Sequence, residues 1–400
     1  MGRPAVRRCK GWLAARVAGL ARRPPLTPAE LRALRPRRLL IVRQHNQMGD
    51  MICATPALRS LRRAYPEAEI ALVCAPVNHE VVRHNPDLDR TFVFAQRLWR
   101  RPDRLGRFLH ELRRFRPELA FVLNSVSFSV TSAWIAAASG ARWIVGGDSR
   151  PFGWDVSGRL YSLELPSRPV PDRHAVLHNL APLAAVGLAG DDLADLATVV
   201  VPAASETARA AELLAALPGG GPLLALHPGA GKRANCWPAE RFAAVAARAA
   251  AGERVLVLQG PADGEPLARL RRALAELGVP LGDLAGPRTA PGAPPGPAGA
   301  ASAAAPPIVL APLCPVGVAA AVLARADRFL CNDTGLMHVA GAVGTPTLAL
   351  FGPTDPALWK PLAPQVQALR GEGGDLAALT VAAVWSALRG LPPRPQAGAP

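Results

Sequence analysis

From about residue 37 onward, short apolar runs alternate with longer stretches whose apolar residues recur at helical spacing. Four uninterrupted apolar runs predict buried strands, and the intervening stretches predict amphipathic helices. Strands separated by helices indicate a parallel sheet covered on both faces, which is an α/β fold. The strands are expected at 38–43, 69–74, 91–94 and 118–124, and the helices at 50–65, 103–115, 127–139 and 174–187.

A second series of the same kind begins near residue 222. Its repetition of the first series predicts two Rossmann-like domains, which we expect to face each other. The strands are expected at 222–228, 254–260, 328–332 and 346–352, and the helices at 238–251, 265–278, 316–326, 336–344 and 379–391.

The two series define the expected domain boundaries. The Ala-, Gly- and Pro-rich join predicts a linker, and the low-complexity stretch 286–307 predicts a disordered surface insertion without chemistry. The expected organisation is an N-terminal basic extension (1–36), a first domain (37–190), a linker (191–221), a second domain containing the insertion (222–375), and a final helix with a loose tail (376–400).

The chain is strongly basic, with a formal net charge of +16. Such a charge suggests nucleic acid, an anionic membrane or an acidic substrate as partner. However, 46 residues are basic and all but Lys10, Lys232 and Lys360 are arginine, which together with abundant Ala, Pro and Gly is typical of GC-rich coding bias. We therefore expect no nucleic-acid partner. Acidic substrates and anionic lipid remain candidate partners.

The N-terminal 23 residues lack the apolar core of a signal peptide, and no stretch is long and apolar enough to span a bilayer. Trp12, Leu13, Val17 and Leu20 nevertheless recur at helical spacing between basic residues. That pattern fits either a basic helix lying on an anionic membrane or a frayed tail. Six scattered cysteines without a C-x-x-C pair predict free thiols rather than a zinc site.

Candidate chemistry lies at three strand-to-helix turns, because ligands of open α/β sheets bind beyond the carboxyl ends of the strands. The first turn contains Met48, Gly49 and Asp50. The glycine lets the backbone approach a ligand, and the carboxylate is stabilised at a helix N-terminus. From these residues alone, Asp50 is either a helix cap or a catalytic base in the cleft between the domains.

The second turn, "HPGAGKR", contains Gly229 followed by Lys232 and Arg233. Its backbone N–H groups can hold a phosphate, although an ordinary loop with solvated bases would look the same. The third turn contains Asp333, Thr334 and Gly335 before a helix that carries His338, and "FGPTDP" follows the next strand. Singly, Asp333 would be a cap and His338 a packed residue. Together they indicate a diphosphate site.

These three blocks, in this order, resemble glycosyltransferase family 9, the bacterial heptosyltransferases of the lipopolysaccharide inner core. The blocks are the Gly-Asp turn with "TPAL", then "HPGA" with "WPAERF", then "NDTG", "MH" and "FGPTDP". The resemblance covers roughly residues 37–390. It implies a GT-B fold and an inverting transfer that uses neither metal nor cofactor. The donor would be a nucleotide-sugar, typically ADP-heptose, and the acceptor a lipid-linked saccharide.

The resemblance also assigns roles to particular residues. Asp50 matches the catalytic base, with Met48 and Gly49 in the acceptor-side loop. Asp333 matches the aspartate that contacts the donor sugar, and Thr334 and Gly335 match the diphosphate-binding turn. The other donor-side residues implied are His338, Gly229, Lys232, Arg233 and an acidic residue on the ribose, either Asp263 or Glu265.

One position departs from the family pattern. Asn235 lies where the family usually has a lysine, two residues before Trp237. Lys232 or Arg233 would then have to supply the positive charge for the leaving diphosphate. The enzyme is expected in the cytoplasm, and a peripheral location on the inner face of the cytoplasmic membrane stays open as an alternative.

Three alternatives remain at this point. Asp87 and Asp89 offer a carboxylate pair for a metal-dependent transferase. A GT-B-type nucleotide-sugar epimerase or hydrolase would have the same fold and need no acceptor. A basic nucleic-acid or membrane-binding protein would use the charge alone.

Overall fold

The fold is that of a computed structural model, which describes residues 23–44, 47–124, 127–169, 172–190, 196–284 and 307–394. The chain divides into two units, with the boundary between Val199 and Val200. The basic pattern around Trp12 and the insertion 286–306 lie outside the described residues.

Within the described part of unit 1, six parallel strands lie in the order β3-β2-β1-β4-β5-β6. Helices connect successive strands, as a parallel sheet requires. The strands are β1 (Arg38–Arg43), β2 (Glu69–Cys74), β3 (Arg90–Val93), β4 (Leu119–Val122), β5 (Trp143–Gly147) and β6 (Leu163–Leu165). The helices are α1 (Pro28–Ala33), α2 (Met48–Ile52), α3 (Thr55–Ala64), α4 (Pro76–Val82), α5 (Pro102–Phe115), α6 (Val130–Ala138), α7 (Ser157–Leu160) and α8 (Ala175–Ala184).

Unit 2 has the same construction, and its described strands lie in the order β13-β12-β11-β7-β8-β10-β9, all parallel. The strands are β7 (Leu223–His227), β8 (Arg254–Val257), β9 (Leu281–Asp283), β10 (Ile308–Leu310), β11 (Arg328–Asn332), β12 (Thr347–Phe351) and β13 (Val366–Arg370). The helices are α9 (Ala204–Ala215), α10 (Ala239–Ala249), α11 (Gly264–Glu276), α12 (Val316–Leu323), α13 (Gly335–Ala342), α14 (Pro356–Trp359) and α15 (Val381–Arg389).

The central strands of both sheets are buried almost along their whole length. Continuous apolar runs, rather than alternating ones, follow from burial of both faces of a parallel sheet. The predicted α/β fold with two parallel-sheet, Rossmann-like domains is therefore confirmed.

The helix predicted over 50–65 is in fact two helices. The first, α2, begins at Met48 and ends at Ile52, and α3 begins at Thr55. Pro56, the second residue of α3, accounts for the break, because proline has no N–H to donate to the preceding turn. The Thr55 hydroxyl donates to the carbonyl of Ile52 at 2.8 Å instead. Asp50 consequently lies in the first turn of a separate helix of five residues, as its third residue.

The predicted extension 1–36 and linker 191–221 also differ from the structure. Residues 26–34 belong to unit 1: Leu31 is buried, and the Tyr65 hydroxyl donates to its carbonyl at 3.0 Å. Within the linker range, Ala204–Ala215 forms α9, whose Ala210 and Leu213 are buried in unit 2. Alanine is the strongest helix former, so an Ala-rich join favours a helix as readily as a flexible connection.

Candidate active site

The chain reverses its direction of strand addition between β1 and β4 in unit 1. Crevices at such switch points, at the carboxyl ends of the strands, are where open α/β sheets bind ligands. Arg43 lies there, at the end of β1, and its side chain is buried. Its Nη1 donates to the carbonyl of Leu123 at 3.0 Å, and its Nη2 donates to the backbone carbonyl of Asp50 at 3.1 Å.

Arg43 thus holds the turn that carries Asp50. Burial lowers the pKa of the Arg43 guanidinium, while the negative charge of Asp50 acts in the opposite direction. Arginine stays protonated even so. Its Nε is buried and finds no hydrogen-bond partner among the residues described. Burial, assisted by Asp50, raises the pKa of the neighbouring Cys53 thiol to about 12, so this cysteine is no nucleophile.

Asp50 is half-buried and is the third residue of α2. Gln47, which directly precedes the helix, makes no side-chain cap, and in the described structure the Asp50 carboxylate caps no backbone N–H. The capping interpretation therefore gains no support from the geometry. The carboxylate is left available at the carboxyl end of β1, near Met48 and Gly49.

A cavity of about 310 Å³ opens beside the carboxyl ends of β1, β2 and β3. Its polar lining comes from Gln44, Gln96 and Arg97. Arg97 begins a group of exposed arginines that form no ion pair with any residue in the described ranges; they are Arg97, Arg100, Arg101 and Arg104. Arg101 directly precedes α5 and Arg104 lies in its first turn, where the helix dipole disfavours positive charge.

The switch point of unit 2 lies between β7 and β11. Asn332, fully buried at the end of β11, connects the two ends of the Gly-rich loop that follows β7. Its amide donates to the carbonyl of Pro228 at 2.8 Å, and its oxygen accepts from the N–H of Trp237 at 2.9 Å. The loop is thereby closed over the end of the sheet.

Asp333 follows directly and is held by two side chains. Its Oδ2 accepts from Asn235 Nδ2 at 3.1 Å and from the Thr354 hydroxyl at 2.6 Å. Burial raises the pKa of Asp333, and the Thr354 hydrogen bond and the charge of Lys232 partly offset this. Asn235, at the position of the family lysine, therefore orients the carboxylate of Asp333.

The two basic residues of the loop have different surroundings. Lys232 is exposed and close enough to Asp333 to act on its pKa. Arg233 is 85% exposed and forms an ion pair of 3.8 Å with Glu265, which also pairs with Arg269 at 3.6 Å. Of the two, Lys232 is the one whose charge acts to lower the pKa of Asp333.

The two candidates for the ribose also differ. Asp263 is buried, and its Oδ2 accepts from His227 Nε2 at 2.8 Å and from the N–H of Gly260 at 2.5 Å. Burial acts to raise the pKa of Asp263, but the hydrogen bonds from His227 and Gly260 hold it below its ordinary value. Glu265 is 58% exposed, in the first turn of α11.

Thr334 precedes α13, and its side chain makes no capping hydrogen bond. Gly335 opens the helix, so the backbone at this end is uncovered by a side chain. His338 is buried one turn further along. The first turn of α13 can thus present N–H groups to an anion.

The carboxylates of the metal-dependent alternative lie before β3, at the amino-terminal end of the strand and not at the carboxyl ends where the cavity opens. Asp89 precedes β3, pairs with Arg62 and accepts from the N–H of Ile70 at 2.7 Å. Asp87 is buried. Throughout the described ranges, no three His, Cys, Asp or Glu side chains gather closely enough to hold a metal ion.

Sequence reasoning missed Arg43, Asn332 and His227. Each ends an apolar strand, and a polar residue in that position is the signal that could have identified them. The expected free thiols are found for Cys53, Cys74, Cys236, Cys314 and Cys331, whereas Cys9 lies outside the described residues. In the described part of the chain, no helix is long and apolar enough to cross a membrane.

Two parallel-sheet α/β units with polar turns at their switch points form a GT-B fold, the fold of one large class of glycosyltransferases. A family profile, glycosyltransferase family 9 (heptosyltransferase), matches residues 106–289 and 299–380. The chain belongs to this family and is a glycosyltransferase.

Individual relatives agree with this. Lipopolysaccharide heptosyltransferase 3 of Escherichia coli is 24% identical over 315 residues, covering 78% of this chain and 83% of that protein. The structure of E. coli ADP-heptose lps heptosyltransferase II has a TM-score of 0.65 at 20% identity, over 88% of this chain and 97% of that one. The E. coli heptosyltransferase WaaC with ADP has a TM-score of 0.64 at 21% identity, over 88% and 99%.

Proposed function

We propose that the protein transfers heptose from ADP-heptose to a lipid-linked saccharide during assembly of lipopolysaccharide or a related surface glycan, with inversion at the anomeric carbon and without metal. The observation that carries the proposal is the Asp333 turn, where a carboxylate oriented by Asn235 and Thr354 adjoins an uncapped helix N-terminus. The names of the E. coli relatives support the choice of ADP-heptose.

For the donor, we assign the diphosphate to the Gly229 loop and the first turn of α13. Backbone N–H groups at a helix N-terminus favour negative charge, and Lys232 adds a mobile cation. These groups stabilise the leaving diphosphate in place of a metal ion. The sugar hydroxyls then donate to Asp333. We assign the ribose hydroxyls to Glu265, because Asp263 is buried and engaged by His227.

For the chemistry, we assign Asp50 as the general base. It takes the proton from the acceptor hydroxyl as that oxygen attacks the anomeric carbon, and the bond from this carbon to the diphosphate oxygen breaks. A single displacement of this kind inverts the configuration and needs no covalent intermediate. Arg43 contributes by holding the backbone of Asp50 in place.

For the acceptor, we assign the cavity beside Gln44 and Arg97 together with the exposed arginines that follow. Guanidinium groups bind phosphates and carboxylates in bidentate fashion, so the acceptor is expected to be anionic. Trp99 is 46% exposed, and its ring centroid lies 4.8 Å from that of Trp134 with the two rings tilted by 52°. Its exposed ring offers an apolar surface for sugar or lipid.

The proposal predicts heptose transfer that persists in EDTA. The experiment incubates the protein with ADP-heptose, with and without a heptose-deficient lipopolysaccharide acceptor, and detects the product by mass spectrometry. We expect the acceptor to gain one heptose only when both are present. ADP release at the same rate without acceptor would instead indicate a hydrolase or epimerase. Loss in EDTA that a divalent ion restores would contradict the metal-free mechanism.

Lys232 and Arg233 are the two candidates to replace the family lysine that is absent at Asn235, and substituting each in turn gives a matched comparison. Lys232→Ala is expected to lower kcat about 30-fold, since a charge-assisted hydrogen bond to the leaving diphosphate contributes about 2 kcal/mol. Arg233→Ala should change kcat less than about threefold, because exposed ion pairs such as that with Glu265 contribute little. Steady-state kinetics with saturating donor measure both. Equal effects of the two substitutions would remove the assignment of Lys232.

A further inference from the structure

We propose that His227 and Asp263 are a positioning pair that sets the shape of the diphosphate-binding loop at Gly229. The inference rests on the proposed function, since it assumes that this loop receives the donor. Neither side chain touches the reacting atoms in this account. Their role is to lock together the turns that follow β7 and β8.

The pair connects two separate turns of the donor site. His227 is the last residue of β7, and Asp263 precedes α11, in the turn that follows β8. Both side chains are buried, with 4% of each residue exposed, and Nε2 lies 2.8 Å from Oδ2. Because Oδ2 also accepts from the N–H of Gly260, one carboxylate fixes its own turn and the neighbouring strand end.

The pair also determines which residue position 229 can hold. A Cβ added to Gly229 would lie 1.9 Å from Asp263 Oδ1 and 2.2 Å from its Cγ, far inside contact distance. The backbone of Gly229 does not lie in the left-handed region, so the requirement for glycine here is steric. The carboxylate therefore packs directly against the backbone of the loop.

Stability alone does not explain this arrangement. Buried polar pairs are often no more stabilising than apolar residues of the same volume, because removing them from water is costly. In addition, His227 Nδ1 is buried without a hydrogen-bond partner in the described structure, which adds to the cost. The pair therefore costs folding free energy at the carboxyl ends of the central strands. Such a cost is expected where function depends on the conformation of the loop.

The test is a double-mutant cycle on donor affinity, measured as the Kd for ADP by calorimetry. Gly229→Ala and Asp263→Ala should each weaken ADP binding about tenfold or more, because displacement of a binding loop by about 1 Å has effects of this size. The double variant should bind no more weakly than Asp263→Ala alone, since removing the carboxylate removes the clash. If the fold-increases in Kd of the two single variants multiplied in the double variant, the proposal would be overturned.

Two controls separate positioning from a general loss of stability. Gly264→Ala, beside Asp263, adds a Cβ that meets nothing within 4 Å and should leave the Kd unchanged. Glu253→Gln breaks a buried ion pair with Arg328 (2.6 Å) in the same unit and should lower the Tm without changing the Kd. If Asp263→Ala does not fold, Asp263→Ser, which also removes the carboxylate, replaces it in the cycle. His227→Gln and Asp263→Asn test the hydrogen bond of the pair alone, and each should weaken ADP binding.

The outcomes also distinguish this inference from the proposed function. Wild-type protein that binds no ADP would overturn both. Wild-type protein that binds ADP, with Gly229→Ala and Asp263→Ala variants that bind it equally well and only melt earlier, would overturn the positioning pair alone. If the pair acts on the donor loop, the Gly229→Ala and Asp263→Ala variants should have a raised KM for the donor and an unchanged KM for the acceptor.

Discussion

Asp50→Asn is expected to lower kcat about a thousandfold, the size of a general-base contribution, while the Kd for ADP-heptose changes less than about twofold. The amide is isosteric with the carboxylate and cannot accept the proton of the acceptor hydroxyl. Donor binding is assigned to unit 2 and does not involve this side chain. Single-turnover kinetics with saturating substrates isolate the chemical step, and calorimetry gives the donor affinity.

The matched control for Asp50 is Glu30→Gln. Glu30 is also a carboxylate in the first turn of a helix in unit 1, and it accepts from the N–H of Thr27 at 2.8 Å as part of a capping box. Its substitution should lower the Tm slightly at most and leave kcat unchanged. If Asp50→Asn behaved in the same way, with a lower Tm and normal turnover, Asp50 would be a structural residue and not the base.

Asp333→Ala is expected to weaken binding of ADP-heptose about 30-fold, but binding of ADP less than about threefold. The difference follows from the assignment of Asp333 to the sugar, because a hydrogen bond from a hydroxyl to a carboxylate contributes about 2 kcal/mol. Competition calorimetry with the two ligands measures both affinities. We also expect kcat to fall, since the sugar would be held less firmly.

Asp355→Ala is the control for Asp333. Asp355 lies after the next strand and caps α14 by accepting from the N–H of Ala357 at 2.9 Å. It should affect stability and neither affinity. Equal losses of ADP and ADP-heptose binding in Asp333→Ala would show that the carboxylate organises the whole loop rather than contacting the sugar.

Long apolar runs made the central strands predictable from sequence, because strands buried on both faces have no polar positions. Strands at or beside the sheet edges were less predictable, although the edge strand β3 was expected at 91–94. The edge strands β6 and β9 and the neighbouring β10 have only three residues each, and the edge strand β13 mixes Gln and Arg with its apolar residues. Backbone hydrogen bonds to a neighbouring strand hold such strands in the sheet, so their sequences need no continuous apolar run.

The site could be predicted only as far as local motifs reach. The turns containing Asp50, Gly229 and Asp333 are contiguous in sequence, and their glycines and carboxylates identify them. Asn332 acts across the pairing of β11 with β7, a relation between residues about a hundred positions apart. The choice between Asp263 and Glu265 likewise depends on burial. The two acids are only two residues apart in the sequence and look equivalent there, but in the structure Asp263 is buried against His227 and Glu265 is exposed.

The most direct test of Asp50 as the base in a single displacement is the anomeric configuration of the transferred heptose, determined by NMR on the product formed from ADP-heptose of known configuration. We predict that the glycosidic bond of the product has the configuration opposite to that of the donor. A product that keeps the donor's configuration would require two displacements or a different geometry of attack, and would contradict the mechanism proposed here.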